Sequence, residues 1–345
     1  MDEVAGHAGL AAYSKDPGFL GEQAGMWDFS IGRTFGLLAQ TYPFILLRML
    51  VYFGITFAYV VATGGGAAIG YGIGHISDDP AAFSVWGGVI GVGLVSIGVY
   101  WIREYLLYIL KAGHIAVMVE LMQGKPLPQG KGQISHAREV VTARFGEANV
   151  LFVLDQMIKG VIRAITGLVG GVAMILPIPG LDALLRFFNT IVRISLTYVD
   201  EIILGYNIKV GSTNAWETSR QALVLYAQNG KRMVKNAIWL TLMLYVLAFV
   251  IFLVMLAPMA ALFYVMPGHI AGWSFVAAIV FAWAFKAAVL EPFAIAALTA
   301  VYFEVIEGQA PNPEWDRKLS EVSGKFRELK DKAVSVVTRP NSAAA

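Results

Sequence analysis

There is no cysteine anywhere in the chain, which removes disulfides, iron–sulfur ligation and thiolate zinc sites together. Charge is almost as scarce. Only 14% of the residues are Asp, Glu, Lys or Arg and 57% are hydrophobic, whereas soluble domains carry roughly 25% and 45 to 50%. The formal net charge is +2, and no Lys/Arg block is interleaved with aromatics. Nucleic acid is therefore excluded as a partner. The five histidines are scattered without an HExxH pattern, and no G-x-S-x-G, Walker motif or pair of carboxylates at catalytic spacing occurs. These absences predict no metal, no cofactor and no enzymatic activity. The opening MDEVAGHAGLAAYSKD has no basic region followed by an apolar one, so no cleaved signal peptide is expected.

What the chain has in quantity is apolar length. Ala237 to Met266 runs without a single charge. As a helix it would be ~45 Å long, more than the ~30 Å of hydrocarbon in a bilayer. Trp239 and Tyr245 sit near one end and Phe263 and Tyr264 near the other, as expected of rings at headgroup depth. Trp86, Trp101, Trp273 and Trp283 read more readily as interfacial anchors of the same kind than as an aromatic cage for a quaternary ammonium. The fold class follows: all-α, a polytopic transmembrane helix bundle whose immediate partner is the lipid bilayer.

Six segments are expected. Residues 1–41 form a cytoplasmic arm and an interfacial helix, Trp27 to Gln40. Residues 42–110 form a first transmembrane hairpin, in which Gly66, Gly70 and Gly74, and then Gly87 and Gly91, recur every four residues to let two helices approach closely. Arg48, near the start of that hairpin, is expected to snorkel to the interface. Residues 111–161 carry the helix beyond the bilayer, break at Gly124 and resume as an amphipathic helix. Residues 162–210 form a hairpin tipped by Pro177, Pro179 and Gly180, either spanning or re-entrant. Residues 211–307 begin with Asn214 and Glu217 in capping-box register, pass through the basic cluster Lys231, Arg232 and Lys235, and form a second transmembrane hairpin. Residues 308–345 hold a cytoplasmic helix capped by Asn312 and Pro313, with Trp315, Leu319, Val322, Phe326, Leu329, Ala333 and Val336 at heptad spacing. The turns at His75 to Phe83 and Pro267 to Gly272 contain no Lys or Arg. The positive-inside tendency puts these turns outside and both termini in the cytoplasm of an inner-membrane protein.

Ionisable groups inside apolar helices are the candidate functional residues. With Trp273 at the outer interface, Lys286 falls about two-thirds of the way across the bilayer and Glu291 near the cytoplasmic interface. Each has two readings, a pathway for a solute or ion and a structural ion pair. Asp155, Lys159 and Arg163 recur at four-residue spacing, as do Asp182 and Arg186, which allows pairing within each helix. The other reading is a water-filled vestibule lined by Arg163, Arg186, Arg193 and Asp200, enclosed by symmetry mates of a homo-oligomer.

One resemblance adds to this. The run SRQALVLYAQNGKRM, Ser219 to Met233, resembles the SARNAFFLLxRNxxRV segment of choline-transporter-like proteins at Arg220, Ala222, Leu225, Asn229 and Arg232. It extends at most over Val192 to Gly308. Where that family has Phe-Cys this chain has Ala215 and Trp216, and it has fewer membrane segments. The resemblance implies a solute pathway through a helix bundle, for choline or related cations. The leading functional expectation is thus a transporter or channel for a small solute or ion. Its alternative is a non-transporting membrane scaffold acting through its amphipathic and heptad helices.

Overall fold

The computed structural model describes residues 26–127, 132–145, 148–175, 196–211, 213–265, 279 and 282–338. The hairpin tip at Pro177, Pro179 and Gly180, the charges Asp182, Arg186 and Arg193, and the turn at Pro267 lie outside them. The described residues are helical throughout, with no strand: α1 (Ile31–Gln40), α2 (Tyr42–Gly74), α3 (Pro80–Met122), α4 (Gln133–Phe145), α5 (Ala148–Ile175), α6 (Val199–Val210), α7 (Ala215–Gln228), α8 (Gly230–Val265), a π-helical segment (Lys286–Leu290) that runs into α9 (Glu291–Val305), α10 (Pro313–Val322) and α11 (Gly324–Thr338).

Among the described residues, four helices are long and apolar enough to cross a membrane: Tyr42–Gly74, Pro80–Tyr100, Gly230–Ala257 and Ala282–Val305. They are compatible with a membrane protein, and they are of two kinds. Only 17%, 6% and 11% of the apolar stretches of the first three are buried by protein, against 78% of the fourth. Leu50, Phe57 and Val60 on α2, Leu94 and Ile97 on α3, and Val246 and Phe249 on α8 stand exposed, a surface suited to lipid. Pro292 to Phe303 is buried all round, which is how a helix enclosed by protein reads in sequence.

The chain forms two compact units. One contains Tyr42–Lys111 and Leu247–Glu291. Its hairpin of α2 and α3 is held at the glycines. A Cβ placed on Gly66 would collide with the carbonyl oxygen of Gly87, one on Gly70 with the carbonyl of Phe83, and one on Gly91 with the carbonyl of Ala62. The helices therefore touch backbone to backbone, the contact that small residues make possible in lipid. The connection is short. Asp78 takes φ 56°, a conformation Asp tolerates better than most residues, and the Asp79 carboxylate caps α3 by accepting from the Ala82 N–H at 3.1 Å.

The other unit contains the rest of the chain: Met1–Thr41, Ala112–Val246 and Pro292–Ala345. Its centre is α9 with the last three turns of α3, where Ala112 to Val119 are also buried. At Gly205 on α6 a Cβ would press on Thr299 of α9 and on Val119 of α3, so a glycine sets how closely α6 can lie. Tyr302 donates its hydroxyl hydrogen to the Ala222 carbonyl at 2.9 Å between Tyr206 and Tyr226, whose rings are each 6.0 Å away. The Asn207 amide donates to Ser219 Oγ at 2.8 Å and ties α6 to α7. Gly124 and Gly211, both at φ 70°, end α3 and α6 in the left-handed conformation that glycine adopts without strain.

The C-terminal heptad pattern is not a free seam. It folds as two helices parted at Ser323, whose N–H is bonded to the Leu319 carbonyl and whose Oγ accepts from the Phe326 N–H at 3.2 Å. Leu319, Phe326, Leu329 and Ala333 are buried, whereas Val322 and Val336 are exposed. Helix α11 lies on α7 and α5, and α10 on α7. Asn214 caps α7 by accepting from the Glu217 N–H, and its amide donates to the Ala333 carbonyl at 2.9 Å. The buried half of the seam is spent inside the unit. The interfacial helix behaves similarly: α1 begins at Ile31, and it buries Thr34, Leu37 and Leu38.

Gly66→Ala and Gly64→Ala should behave oppositely, because nothing lies within 4 Å of a Cβ on Gly64. We expect Gly66→Ala to cost ~1–3 kcal/mol and Gly64→Ala to be neutral or stabilising by up to ~1 kcal/mol. Thermal denaturation of the two variants in one detergent measures the difference.

Candidate functional site

Arg48 is the group that the sequence reading places wrongly. It does not snorkel: it is 2% exposed, seven residues into a helix whose composition is otherwise that of a membrane span. Tyr52, one turn further along the same face, is also buried and packs with Ala284, Ala287 and Ala288, flanked by Met49, Leu107 and Val289. The Trp283 ring meets Tyr52 edge-on at 5.5 Å. The face of α2 that carries Arg48 is thus the face turned to the π-helical segment, which α2 contacts. The detectable signal was the lone cation in an apolar run, but nothing local reveals that its face is the covered one.

Lys286 opens the π-helical segment and Glu291 follows it, both half-buried. In an α-helix at 3.6 residues per turn, positions five apart diverge by about 140° around the axis. A π-helical turn bonds residue i to i+5 and stacks such positions nearly in line. The widened turn therefore brings the Lys286 and Glu291 positions toward one side of the helix. Phe285 before it and Glu291 after it keep right-handed helical backbone angles, so the helix is widened there without being broken. Within this unit, α2 meets the helix that carries Lys286 and Glu291 through Tyr52, which packs on Trp283, Ala284, Ala287 and Ala288.

Of the remaining candidates, Arg163 and Asp200 fall in the other unit. Asp155 accepts from Lys159 Nζ at 2.8 Å, so pairing within α5 is real. Lys159 also reaches Asp200 on α6 at 3.5 Å. Asp155, Asp200 and the adjacent Glu201 are all buried, and Lys159 is 37% exposed. Arg163 is exposed. Burial works against the Lys159 charge, but Asp200, Asp155 with its hydrogen bond, and Glu201 outweigh it and hold the ammonium above its ordinary pKa of 10.5. The stabilisation it contributes is complete below that value and is lost as pH rises through the raised one. Helices α5 and α6 are thereby locked by a charge cluster.

A third set joins the tail to α7. Arg220 pairs with Glu217 at 2.6 Å and with Asp316 of α10, and Lys330 of α11 reaches Asp316 at 2.7 Å. Hydrogen bonding to Glu217 and Asp316 outweighs burial and raises the Arg220 pKa further. Arg220 was one of the residues carrying the family resemblance, and here its partners are structural. No group of three or more His, Cys, Asp or Glu able to hold a metal ion occurs among the described residues. No family model, curated protein or solved structure matches the chain.

Lys159→Met leaves Asp155, Asp200 and Glu201 buried together without that ammonium. With the lysine more than a third exposed, the expected loss is ~3 kcal/mol at pH 7, the low end for a broken buried pair. The difference between the two proteins should narrow as pH rises above 10.5 and through the raised Lys159 value, where the ammonium is lost from the wild type as well. Melting curves of both proteins from pH 7 upward test this, and a pH-independent difference would contradict it.

Proposed function

We propose that this protein moves a small solute or ion across the membrane, with Arg48, Lys286 and Glu291 as the polar groups of the pathway. The observation that carries the reading is the burial of Arg48. A charged side chain in a membrane helix costs at least ~2.5 kcal/mol on insertion scales, and here the helix that covers it is widened by a π turn and carries two more ionisable groups. Such widened turns concentrate at functional sites. The charge balance bears on the solute. A pathway that uses Arg48 and Lys286 with Glu291 would favour an ion or zwitterion with an accessible negative group over a bare cation. Choline, which the resemblance to choline-transporter-like proteins implies, would depend on the Tyr52 and Trp283 rings for cation–π attraction.

The proposal includes an inner-membrane location with both termini in the cytoplasm, as the positive-inside tendency implies. It also includes a homo-oligomer, because Arg186 and Arg193 lie in a stretch too charged to face lipid alone. The scaffold alternative draws less support from the heptad helix, because Leu319, Phe326, Leu329 and Ala333 are buried within the chain and only Val322 and Val336 of the stripe stand exposed.

Liposomes containing the full chain, assayed for uptake of choline, betaine, chloride and potassium, test the proposal. We expect flux of at least one of these, reduced tenfold or more by Arg48→Gln and by Glu291→Gln and largely retained in Arg48→Lys, with melting temperatures measured alongside. Absence of flux for the whole panel, or wild-type flux in folded Arg48→Gln, would overturn it.

A further inference from the structure

Where α7 gives way to α8 the surface holds an open depression of about 410 Å³ lined by Gln228, Asn229, Lys231, Arg232 and Lys235. Its cations are organised by one carboxylate. Asp28 accepts from Arg232 Nε at 3.0 Å, Lys235 Nζ at 2.8 Å and the Asn236 amide at 2.8 Å. Its own N–H donates to Asn236 Oδ1 at 2.6 Å. Although burial opposes the Asp28 charge, Lys235, Asn236 and Arg232 outweigh it and hold the carboxyl below its ordinary pKa, so the counter-charge is permanent near neutrality. Lys231 is exposed and has no ion-pair partner among the described residues. Glu304 lies within electrostatic reach of Arg232. Even with that carboxylate counted, the depression keeps an excess of positive charge.

Three further observations say what chemistry would occupy it. Lys231, Arg232 and Lys235 all lie in the opening turns of α8, where cations oppose the helix dipole and an anion is favoured. The lining also includes two amides: Gln228 and Asn229 are fixed by hydrogen bonds to Gln309 at 2.8 Å each, and Gln228 Oε1 accepts from the Asn312 N–H at 3.0 Å. The same helix becomes uncharged from Asn236 onward. Its Trp239 meets Trp27 at 6.1 Å, and Trp27 stacks on Phe29 at 5.9 Å. An aromatic cluster of this kind marks the headgroup level of a membrane, and Lys235 precedes Trp239 by one helical turn, ~6 Å.

We propose that this depression holds the phosphate of an acidic phospholipid headgroup from the membrane that α8 enters. Asp28 pre-orders Arg232 and Lys235, Lys231 supplies the uncommitted charge, and the amides of Gln228 and Asn229 border the same space. The bound lipid would brace the junction of α7, α8 and the segment around Gln309.

The test uses the full chain in nanodiscs of phosphatidylcholine alone or mixed with phosphatidylglycerol, with retained lipid counted by native mass spectrometry. Wild-type protein should retain phosphatidylglycerol preferentially. Removal of one interfacial charge changes such binding about fivefold, so Lys231→Ala should lower the preference by about that factor and Lys231→Glu by more. Lys231 is exposed, so these variants should fold, which circular dichroism checks. Asp28→Asn, which removes the counter-charge, should raise the preference. Unchanged preference in folded Lys231→Glu would overturn the proposal, as would displacement of the lipid by millimolar inorganic phosphate, which would identify a site for the free anion.

Discussion

Apolar side chains have to leave water, and in this protein the destination differs from helix to helix. On α2, the first half of α3 and most of α8 they stay uncovered by protein, so their stabilisation has to come from lipid. On α9 they are enclosed on every side. The same physical demand thus produces two helices of similar hydropathy with unlike surroundings. Hydropathy measures transfer out of water and is blind to what replaces it.

That distinction organises what else the chain can afford. Where lipid is the surrounding medium, helices gain nothing from hydrophobic association, so the α2–α3 hairpin relies on close backbone contact at Gly66, Gly70, Gly87 and Gly91. Where protein is the surrounding medium, polar groups can be buried if they find partners. The Asp155–Lys159–Asp200 cluster, the Asn207–Ser219 hydrogen bond and the Arg220–Asp316 pair all fall in that unit. Arg48 is the exception, a charge 2% exposed on a helix whose apolar residues are largely uncovered by protein.

Much of the local structure was legible in the sequence because local physics decides it. The caps at Asn214 and Asn312, the stops at Gly124 and Gly211, the tight turn at Asp78 and the glycine spacing of the hairpin depend on residues within one or two turns of each other. Long-range pairing was not legible. Asp155 and Lys159 announce each other at i and i+4, but the reach of Lys159 to Asp200 exists only because α5 and α6 lie side by side. Arg48 looked able to snorkel because a long side chain near a helix start usually can. Its confinement depends on which face of α2 the π-helical segment covers, and no periodicity in α2 itself encodes that.

The tail shows the same limit from the other side. A run of apolar residues at heptad spacing specifies a stripe, not a partner, and a stripe can be satisfied by any complementary helix face. Here Phe326, Leu329 and Ala333 are buried with α11 lying on α7 and α5, and Arg220, Asp316 and Lys330 pin the arrangement by charge. Ser323 interrupts the stripe so that its two halves form separate helices. A continuous coiled coil with another chain would require that break to be healed and those contacts to be surrendered together. Among the described residues the long exposed apolar stretches are on α2, α3 and α8, and a bilayer is the medium that suits such a surface.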